Sequence, residues 1–546
     1  MVNAEIDNRV LNKPNTVLNN SVICLQNRDI YLESQFDYSK AVLFQETNIP
    51  ADMINVANEE SDPVPHSVIL GSVMDDLEQV GFLSILYPEV NGLLNNLRNS
   101  RGEEAEIIKS QLKKFKVGNK EYLVISIEKV LEAALNNRWN LCKNNHHIYL
   151  YNGAYWSILD QQAFSKFLGK AAEKMGVPKI MARHYQFRDQ LLKQFLAVAY
   201  LPKPEPSKDT VYINLRNGTY EITPQGSRLI PFDPTHFLTY QLNFEYNPDA
   251  RAPIFQEYMD RVLPDKDLQM ILAEYLGFIF IRHGSDTIKE EKTLLLYGTG
   301  ANGKSVFFEI VNALLGRENV SSYSLQSLTN ENGYYRANLA DKLVNYSSEI
   351  SGKLQSSIFK QMVSGEPIEA RLPYHPPVIV TQYAKLIFNC NELPSDVEHS
   401  NAYFRRFLII PFTVTIPEHE QDKRLHHKII QSELAGVFNW VLEGLDRLLT
   451  QQRFTHSDAV NNARQHYEKQ TDNVRVFLDE AGYTNSPTAY ELIRDLYLQY
   501  REYCTEAGNR PINKSIFRQR MERAGIMTDR KDVGNVAYVA ITEKSG

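Results

Sequence analysis

The feature that most constrains this chain is the octapeptide GTGANGKS, Gly298 to Ser305, which matches the pattern G-x-x-x-x-G-K-[ST] in full. A short apolar run, Thr293 to Tyr297, precedes it. Apolar residues follow it at the spacing of one helix face, at Phe307, Ile310, Val311 and Leu314. Gly316 then stands where a helix commonly ends in a glycine. This order predicts a strand, a phosphate-binding loop and a helix.

The residue types of this loop suit a nucleotide. Glycines let backbone N–H groups close around an anion without a Cβ clash, and the start of the helix adds a partial positive charge. Lys304 is expected to reach the β- and γ-phosphates of ATP, and the Ser305 hydroxyl is expected to bind Mg²⁺. The predicted nucleotide-contacting residues are Gly298, Thr299, Gly300, Ala301, Asn302, Gly303, Lys304 and Ser305.

The composition limits the other classes of function. A chain of 546 residues with 43% hydrophobic and 23% charged residues is expected to form several soluble globular domains. Because the net charge is -7, any nucleic acid would be bound by local basic patches or an internal channel. The four cysteines form no C-x-x-C pair, which argues against a zinc ribbon or a disulfide framework. The sequence shows no secretory pattern and no membrane-length apolar run, so we expect a cytosolic protein.

Three further segments after the loop carry polar residues at the ends of apolar strands. The run from Lys342 ends at Glu349, where a carboxylate can polarise the attacking water and help to hold the metal. A second strand ends near Asn391, where a sensor of the γ-phosphate is needed. Arg405 and Arg406 precede a third strand, where an arginine can reach the nucleotide of a neighbouring subunit.

The motifs GTGANGKS, VNYSSE, FKQMVSGEPIEARLPYHPP, LIFNCNELP and FRRFLIIPF, in this order, resemble those of the superfamily 3 helicases. Within that superfamily the series is most similar to the poxvirus-type and satellite-phage-type primase–helicase group. The resemblance covers roughly residues 147–415 and includes the upstream segments YNGAYW and INLRNGTYEI. It implies an α/β fold with an AAA+ P-loop core. It also implies a replication protein of a phage, plasmid or other mobile element, in the cytoplasm of a bacterial or virus-infected cell.

The resemblance assigns roles to individual residues. The implied catalytic residues are Lys304, Glu349, Asn391, Arg406 as the arginine finger and, as the second candidate for the finger, Arg405. Ser305 and Glu349 are the implied metal ligands. Many P-loop ATPases carry an aspartate before the catalytic acid, whereas this chain has Ser348. The division of labour between metal binding and water activation at Glu349 is therefore open.

The segment 360–376 resembles a family motif that forms a β-hairpin aimed into a central channel. A cation neutralises phosphate and an aromatic ring stacks on any base, so such a hairpin can hold a strand without reading its sequence. The implied strand-gripping residues are Lys360, Arg371, Tyr374 and His375. The alternative is a surface loop flanked by prolines.

The predicted domains are an N-terminal accessory region of unclear function, an α+β domain, the helicase domain and a winged-helix-like DNA-binding domain, at 1–140, 141–250, 251–455 and 470–546. Hairpin turns are predicted at Asn152–Gly153 and Asn217–Gly218, and residues 254–282 are predicted to be helical.

The last domain is predicted as helices followed by a hairpin. One helix is expected from residue 487, a second is expected to be capped by Ser515, and the hairpin is expected to turn at Gly534–Asn535. Its basic residues are Arg518, Arg520, Arg523, Arg530 and Lys531. Arg518 and Arg520 are the predicted DNA contacts, through a helix in the major groove. The alternatives are a solvated helix face and a docking domain.

The sequence thus predicts an ATP-dependent DNA helicase that forms a ring, most simply a hexamer, with ATP bound between subunits and DNA in the channel. The alternative is a P-loop ATPase that binds and remodels origin DNA without processive unwinding. A protein-remodelling ATPase is a third option, which the Arg371–His375 segment disfavours. Primase activity is expected to be absent, since residues 1–140 show no D-x-D pair on a strand with a partner histidine.

Overall fold

The computed structural model describes residues 63–136, 140–144, 147–199, 203–348, 350, 354–373, 375–394, 398–507 and 510–541, all in one compact unit. Two predicted site residues, Glu349 and Tyr374, lie outside these ranges, as do residues 1–62 of the predicted accessory region. Within the described ranges, no helix has both the length and the apolar content that crossing a membrane requires.

Helices and one small sheet make up the first part of the described chain. The helices are α1 His66–Asp76, α2 Phe82–Leu86, α3 Val90–Asn99, α4 Glu103–Leu112, α5 Asn119–Asn136, α6 Gln161–Met175, α7 Lys179–Arg183 and α8 Tyr185–Val198. The antiparallel sheet consists of β1 Leu141–Asn144, β2 His147–Tyr151 and β3 Trp156–Ile158. The predicted turn at Asn152–Gly153 joins β2 to β3 and is confirmed, with Gly153 at a φ of 94°.

A second antiparallel sheet and two helices lead to the centre of the molecule. They are β4 Val211–Leu215, β5 Gly218–Thr223, β6 Gly226–Ile230, α9 Pro253–Val262 and α10 Lys266–Phe278. The predicted turn at Asn217–Gly218 is wrong by one residue, because Leu215 pairs with Gly218. The predicted helical stretch 254–282 is interrupted because Pro264 has no N–H, and the Asp265 carboxylate caps α10.

The central element is a five-stranded parallel sheet in the order β13-β7-β12-β9-β8. Its strands are β7 Thr293–Tyr297, β8 Val320–Ser321, β9 Val344–Ser347, β12 Lys385–Cys390 and β13 Phe407–Pro411. β7 is followed by α11 Lys304–Leu315, which ends at Gly316, so the predicted strand, loop and helix are confirmed. The mixed α/β class is confirmed as well.

Both faces of this sheet are buried, which is why its strands read as continuous apolar runs. Successive side chains point to opposite faces, so Leu294 and Leu296 join one core and Leu295 joins the other. The first core is covered by α9, α10, α11, α16 Leu425–Ser432 and α17 Leu434–Gln451. This core runs from Val211 to Val460, so the predicted domain boundary at 250/251 falls inside it.

The second face is covered by four short helices and one longer helix. They are α12 Leu325–Leu328, α13 Tyr334–Ala337, α14 Ser356–Val363, α15 Asn401–Phe404 and α18 Asp458–Thr471. A two-stranded hairpin, β10 Ile368–Ala370 and β11 Val378–Val380, projects between α14 and β12 in the chain. The hairpin that the resemblance implied is therefore present, with β10 inside segment 360–376 and β11 directly after it; the described residues of its loop are 371–373 and 375–377.

The last part has its own core. Its elements are α19 Asn473–Glu480, β14 Tyr483–Asn485, β15 Glu491–Leu492, α20 Ile493–Glu506, α21 Lys514–Arg523, β16 Thr528–Lys531, β17 Gly534–Ala537 and β18 Val539–Ile541. A three-stranded sheet in the order β15-β17-β16 packs beside the helices.

Three local predictions for this last part are corrected. The helix expected from residue 487 begins at Ile493, because residues 491–492 pair with β17 instead. Asn513 rather than Ser515 caps α21, its side-chain oxygen accepting from the Ile516 N–H at 2.9 Å. The hairpin turns at Asp532–Val533 rather than Gly534–Asn535, because Lys531 pairs with Gly534.

Candidate functional site

The phosphate loop follows the carboxyl end of β7, in the middle of the sheet. Its neighbours there are β12, whose last residue Cys390 pairs with Tyr297, and β13, whose Pro411 also pairs with Tyr297. In open α/β sheets, ligands bind beyond the carboxyl ends of the strands where the strand order reverses. The loop lies at such a point, since the chain leaves β7 toward β8 on one side and returns to β13 on the other.

The loop backbone is shaped for an anion. Among the described residues, the N–H groups of residues 299–303 donate to no protein oxygen. Gly303 has a φ of 87°, and a Cβ there would lie 2.7 Å from Val262 Cγ1, so only glycine fits this position. Open N–H groups at the start of a helix are the usual cradle of a phosphate.

Lys304 is the cation of this cradle. Its buried amine donates to the carbonyl oxygens of Gly298 at 2.5 Å and Thr299 at 3.2 Å, and to Asn302 Oδ1 at 3.1 Å. All three acceptors are neutral, and burial lowers the pKa of the amine. A buried cation with only neutral acceptors favours an anionic ligand, because the ligand would offset the cost of desolvation.

Three contacts that the sequence did not predict hold the loop. Asn302 Nδ2 donates to the Phe412 carbonyl at 3.2 Å, and the Ile416 N–H donates to the Ala301 carbonyl at 2.8 Å. The Tyr258 hydroxyl donates to the Gly303 carbonyl at 2.9 Å from α9. These partners are more than 40 residues away in sequence, so no local pattern could have indicated them.

The predicted sensor and metal residues are only partly described. Asn391 is exposed directly after β12, next to the loop, whereas Asn389 two residues earlier is buried and accepts from the Tyr346 hydroxyl at 3.0 Å. Ser305 is exposed in the first turn of α11. Glu349 lies outside the described residues, where β9 has just ended at Ser347. Within the described ranges, no group of three or more His, Cys, Asp and Glu side chains is arranged to hold a metal ion.

The two arginines lie at the amino-terminal ends of the strands, whereas the phosphate loop lies at their carboxyl ends. They precede β13, whose first residue Phe407 pairs with Thr293 at the start of β7. The length of β7 therefore separates them from the phosphate loop of their own chain, by roughly 17 Å for five residues. Neither arginine is adjacent to that loop.

The two arginines differ in exposure. The Arg406 side chain is 9% exposed and contacts Glu291 at 3.0 Å and Ser364 Oγ at 2.8 Å, besides the Ala402 carbonyl. The Arg405 side chain is 55% exposed and pairs with Glu291 at 3.2 Å. Arg405 is thus the one that another molecule can reach. Glu291, which none of the sequence motifs includes, pairs with both arginines.

The predicted strand-gripping residues separate into two groups. Arg371 and His375 are exposed in the hairpin loop, and Arg371 Nε donates to the His375 carbonyl at 3.0 Å across it. Lys360 is on α14, outside the hairpin, and contacts both carboxylate oxygens of Glu398 at 2.9 and 3.1 Å. Tyr374 belongs to the loop sequence but lies outside the described residues.

The two predicted DNA contacts of the last part also differ. Arg518 is 41% exposed on α21 and contacts Glu522 at 2.9 Å and Thr528 Oγ1 at 3.0 Å. The Arg520 side chain is only 12% exposed and pairs with Asp472 at 3.3 Å, which ties α21 to the start of α19. Arg523 and Arg530 are exposed, whereas Lys531 lies over the ring of Tyr490 at 3.9 Å.

Two families match parts of the chain. Residues 296–406 match a family of unknown function, DUF5906, and residues 128–264 match the family described as D5 N terminal like. The first match begins in β7 and ends at Arg406, so it contains the loop, Asn391 and both arginines. The second contains β1 to β6 and all of α9.

Two curated relatives are virus proteins. A candidate helicase of Acanthamoeba polyphaga mimivirus, L207/L206, is 23% identical over 254 residues, which are 43% of this chain and 25% of that protein. A candidate helicase of Invertebrate iridescent virus 3, 121R, is 21% identical over 311 residues, which are 49% of this chain and 32% of that protein. The chain thus spans a quarter to a third of the length of these relatives.

Among solved structures, the A form of the apo NrS-1 C-terminal region matches with a TM-score of 0.44 and 14% identity, over 76% of this chain and 98% of that one. The sequence matches show that the chain resembles virus proteins named as helicases and contains a D5 N terminal like segment. The expectation that primase activity is absent receives no support from these matches.

Proposed function

We propose that this protein is an ATP-dependent DNA helicase of the superfamily 3 type, with an AAA+ core, acting in the replication of a virus or mobile element. The observation that carries the proposal is the loop at residues 298–305: the N–H groups of residues 299–303 have no protein acceptor among the described residues, and the buried Lys304 amine has only neutral acceptors. That arrangement fits a triphosphate. Relatives named as helicases support the use of its hydrolysis for unwinding.

The separate positions of loop and arginines support an assembly. Arg405 lies at the amino-terminal ends of the strands, and its own loop lies at their carboxyl ends. It can therefore act on ATP only in a neighbouring subunit. A head-to-tail contact of this kind forms a ring when the rotation between subunits closes, and we propose a hexamer. In this proposal, Lys304 holds the phosphates, Asn391 contacts the γ-phosphate, and Arg405 of the next subunit stabilises transition-state charge.

The exposure of the two arginines changes the order of the candidates for the finger. The sequence placed Arg406 first, but its side chain is 9% exposed and bound to Glu291 and Ser364. We therefore propose Arg405 as the finger and Arg406 as the residue that anchors the segment carrying it. The loop fits Mg²⁺ through Ser305, with Glu349 as a further proposed ligand. Mg²⁺, when bound with ATP, would neutralise phosphate charge.

The β10–β11 hairpin is the proposed contact with the DNA strand. Arg371 and His375 are exposed at its tip, with Tyr374 between them in sequence. Phosphate contacts by these cations would hold a strand independently of its sequence. Lys360 is left out of this contact, because Glu398 already pairs with it.

A strand-displacement assay tests the proposal. Wild-type protein is expected to unwind a forked duplex with ATP and Mg²⁺, and Lys304→Ala is expected to lose both unwinding and ATP hydrolysis. Lys170→Ala removes an exposed lysine of α6 and is the matched control, expected to retain both activities. Absence of nucleotide binding in the wild type would refute the proposal.

The second candidate is an initiator ATPase that remodels origin DNA without processive unwinding. The arrangement of α19, β15, α20, α21 and the β16–β17 hairpin supports it, since a helix followed by a hairpin is the order of a winged-helix DNA-binding unit. Arg518 on α21 would contact the duplex. Wild-type ATP hydrolysis without unwinding of any forked substrate would favour this candidate.

A further inference from the structure

A second concentration of buried charge lies far from the phosphate loop. It surrounds a cavity of about 140 Å³, here called the junction cavity, which is lined among others by Tyr149, Tyr212, Arg282, Asp341, Gln382 and Lys385. Asp341 precedes β9 and Lys385 begins β12, so the cavity lies at the amino ends of these strands. β12 separates it from the phosphate loop by roughly 17 Å.

Three parts of the fold meet at this cavity. Tyr149 comes from β2 of the first small sheet, and Tyr212 comes from β4 of the second. The β10–β11 hairpin contributes Leu372 from its loop and Val378 from the start of β11. A ligand held here would therefore contact both small sheets, the edge of the central sheet and the hairpin.

Lys385 is the most enclosed cation of the cavity. Its amine contacts His283 Nδ1 at 3.1 Å and lies 4.3 Å from the centre of the Phe278 ring. His283 Nε2 lies 3.0 Å from the Tyr383 carbonyl, which can only accept, so the proton is on Nε2 and Nδ1 accepts from the lysine. Both contacts of the amine are therefore neutral, and no carboxylate pairs with it among the described residues.

The cavity has more cationic than anionic groups. Arg282 also faces it and forms no ion pair within the described part of the chain. Asp341 is the carboxylate of the cavity wall, and it already accepts a hydrogen bond from the Tyr149 hydroxyl. Lys203 has Glu205 at 3.7 Å, and Lys342 donates to the Glu318 carbonyl. Arg282 thus has the charges of Asp341 and Glu205 in its vicinity, whereas Lys385 has no carboxylate partner within the described part of the chain.

An excess of buried positive charge destabilises the folded protein unless an anion offsets it. Burial of an unpaired cation is unfavourable, and a lysine without a counter-ion is rarely enclosed to this degree. Burial lowers the pKa of Lys385 to about 7 and also lowers the pKa of Arg282, because removal from water disfavours the charged form of each side chain. An anion in the cavity would reverse both shifts.

We propose that the junction cavity is a second anion site that binds a phosphate group through Arg282 and Lys385. A phosphate presents several charge-bearing oxygens, to which a guanidinium can donate two parallel hydrogen bonds and an ammonium a third. A cavity of about 150 Å³ holds a molecule the size of benzene, so about 140 Å³ suits a single phosphate group rather than a whole nucleoside triphosphate. The phosphate can come from a free phosphate ester or from a DNA strand beside the hairpin.

The site can be tested in a Lys304→Ala background, which removes binding at the phosphate loop. Affinity for inorganic phosphate is measured by calorimetry, and affinity for a single-stranded oligonucleotide is measured by fluorescence anisotropy at fixed salt. Arg282→Gln and Lys385→Met are compared with Arg317→Gln, which removes an exposed, 82% accessible arginine. Loss of one charged hydrogen-bond donor is expected to weaken binding about ten-fold, and the control is expected to change nothing.

The outcomes separate the two sources of phosphate. A ten-fold loss for inorganic phosphate with unchanged oligonucleotide binding identifies a free phosphate ester as the ligand, whereas a loss for the oligonucleotide identifies the strand. Unchanged affinity for both probes in both variants, with melting curves like that of the parent, overturns the proposal. If Arg282→Gln does not fold, the affinities of Lys385→Met decide the test. This variant is expected to fold, because it replaces a buried amine by an apolar side chain. Neither titration contains ATP or depends on its hydrolysis, so the result is independent of the helicase proposal.

Discussion

The contrast between Arg405 and Arg406 gives the sharpest prediction about the proposed active site. Arg405→Ala removes a side chain that is 55% exposed and whose partner Glu291 is 26% exposed. A pair of this kind contributes about 1 kcal/mol or less, so the free energy of unfolding should barely change. As the arginine finger it contributes on the order of 10³–10⁵ to the rate, so kcat for ATP hydrolysis should fall by at least about 10³.

Arg406→Ala should mainly lower the free energy of unfolding rather than act directly on kcat. Its guanidinium is 9% exposed and bound to Glu291 and Ser364. Removal leaves the Glu291 carboxylate without its more buried partner and should cost about 3 kcal/mol or more of stability. Urea unfolding separates this loss of stability from a direct effect on hydrolysis.

Subunit mixing supplies the decisive assay. Arg405→Ala subunits retain Lys304, and Lys304→Ala subunits retain Arg405, so an interface between the two can contain a complete site. Equal mixing should make about one interface in four competent and restore hydrolysis that neither variant has alone. Two results would refute the assignment of Arg405 to the ATP site of the neighbouring subunit. One is a wild-type kcat in Arg405→Ala. The other is no recovery of ATP hydrolysis when the two variants are mixed, although both fold and associate.

Three further predictions follow from buried groups. Glu274 is fully buried and accepts hydrogen bonds from Arg447 at 2.7 Å and from the Thr455 N–H at 2.8 Å. Glu274→Ala should therefore lower the free energy of unfolding, measured in urea, by about 3–5 kcal/mol. Glu309→Ala removes one partner of an exposed pair with Arg317 and should lower it by less than about 1 kcal/mol. Burial raises the pKa of Cys390 from 9.0 to about 12, so iodoacetamide at pH 8.5 should label it in urea but not in the folded protein; labelling of the folded protein would contradict its burial. The pKa of Lys385 is lowered from 10.5 to about 7, so between these two pH values the unfolded state binds one more proton than the folded state. The free energy of unfolding should therefore rise with pH by up to about 1.4 kcal/mol per pH unit. Lys385→Met should remove this rise, and Lys170→Met, the control at an exposed site, should keep it.

Much of the candidate site could be predicted because its signals are local. The loop, the strand before it and the helix to Gly316 follow from glycine spacing and apolar periodicity over some two dozen neighbouring residues. The errors are local as well: the turn at Arg216–Asn217, the cap at Asn513 and the turn at Asp532–Val533 each lie one or two residues from the predicted position. Strand register decided these turns, and register depends on the partner strand.

Local spacing by itself determined that a glycine-rich loop stands between a buried strand and a helix, because the conformations of these residues depend on their immediate neighbours. Only the tertiary structure decided that Arg406 is buried on Glu291 while Arg405 remains exposed, and that Lys360 is paired with Glu398. It alone brought Arg282, Asp341 and Lys385 to one cavity from positions up to about a hundred residues apart. Such contacts arise from the packing of elements distant in the chain, where neither apolar periodicity nor motif spacing carries information.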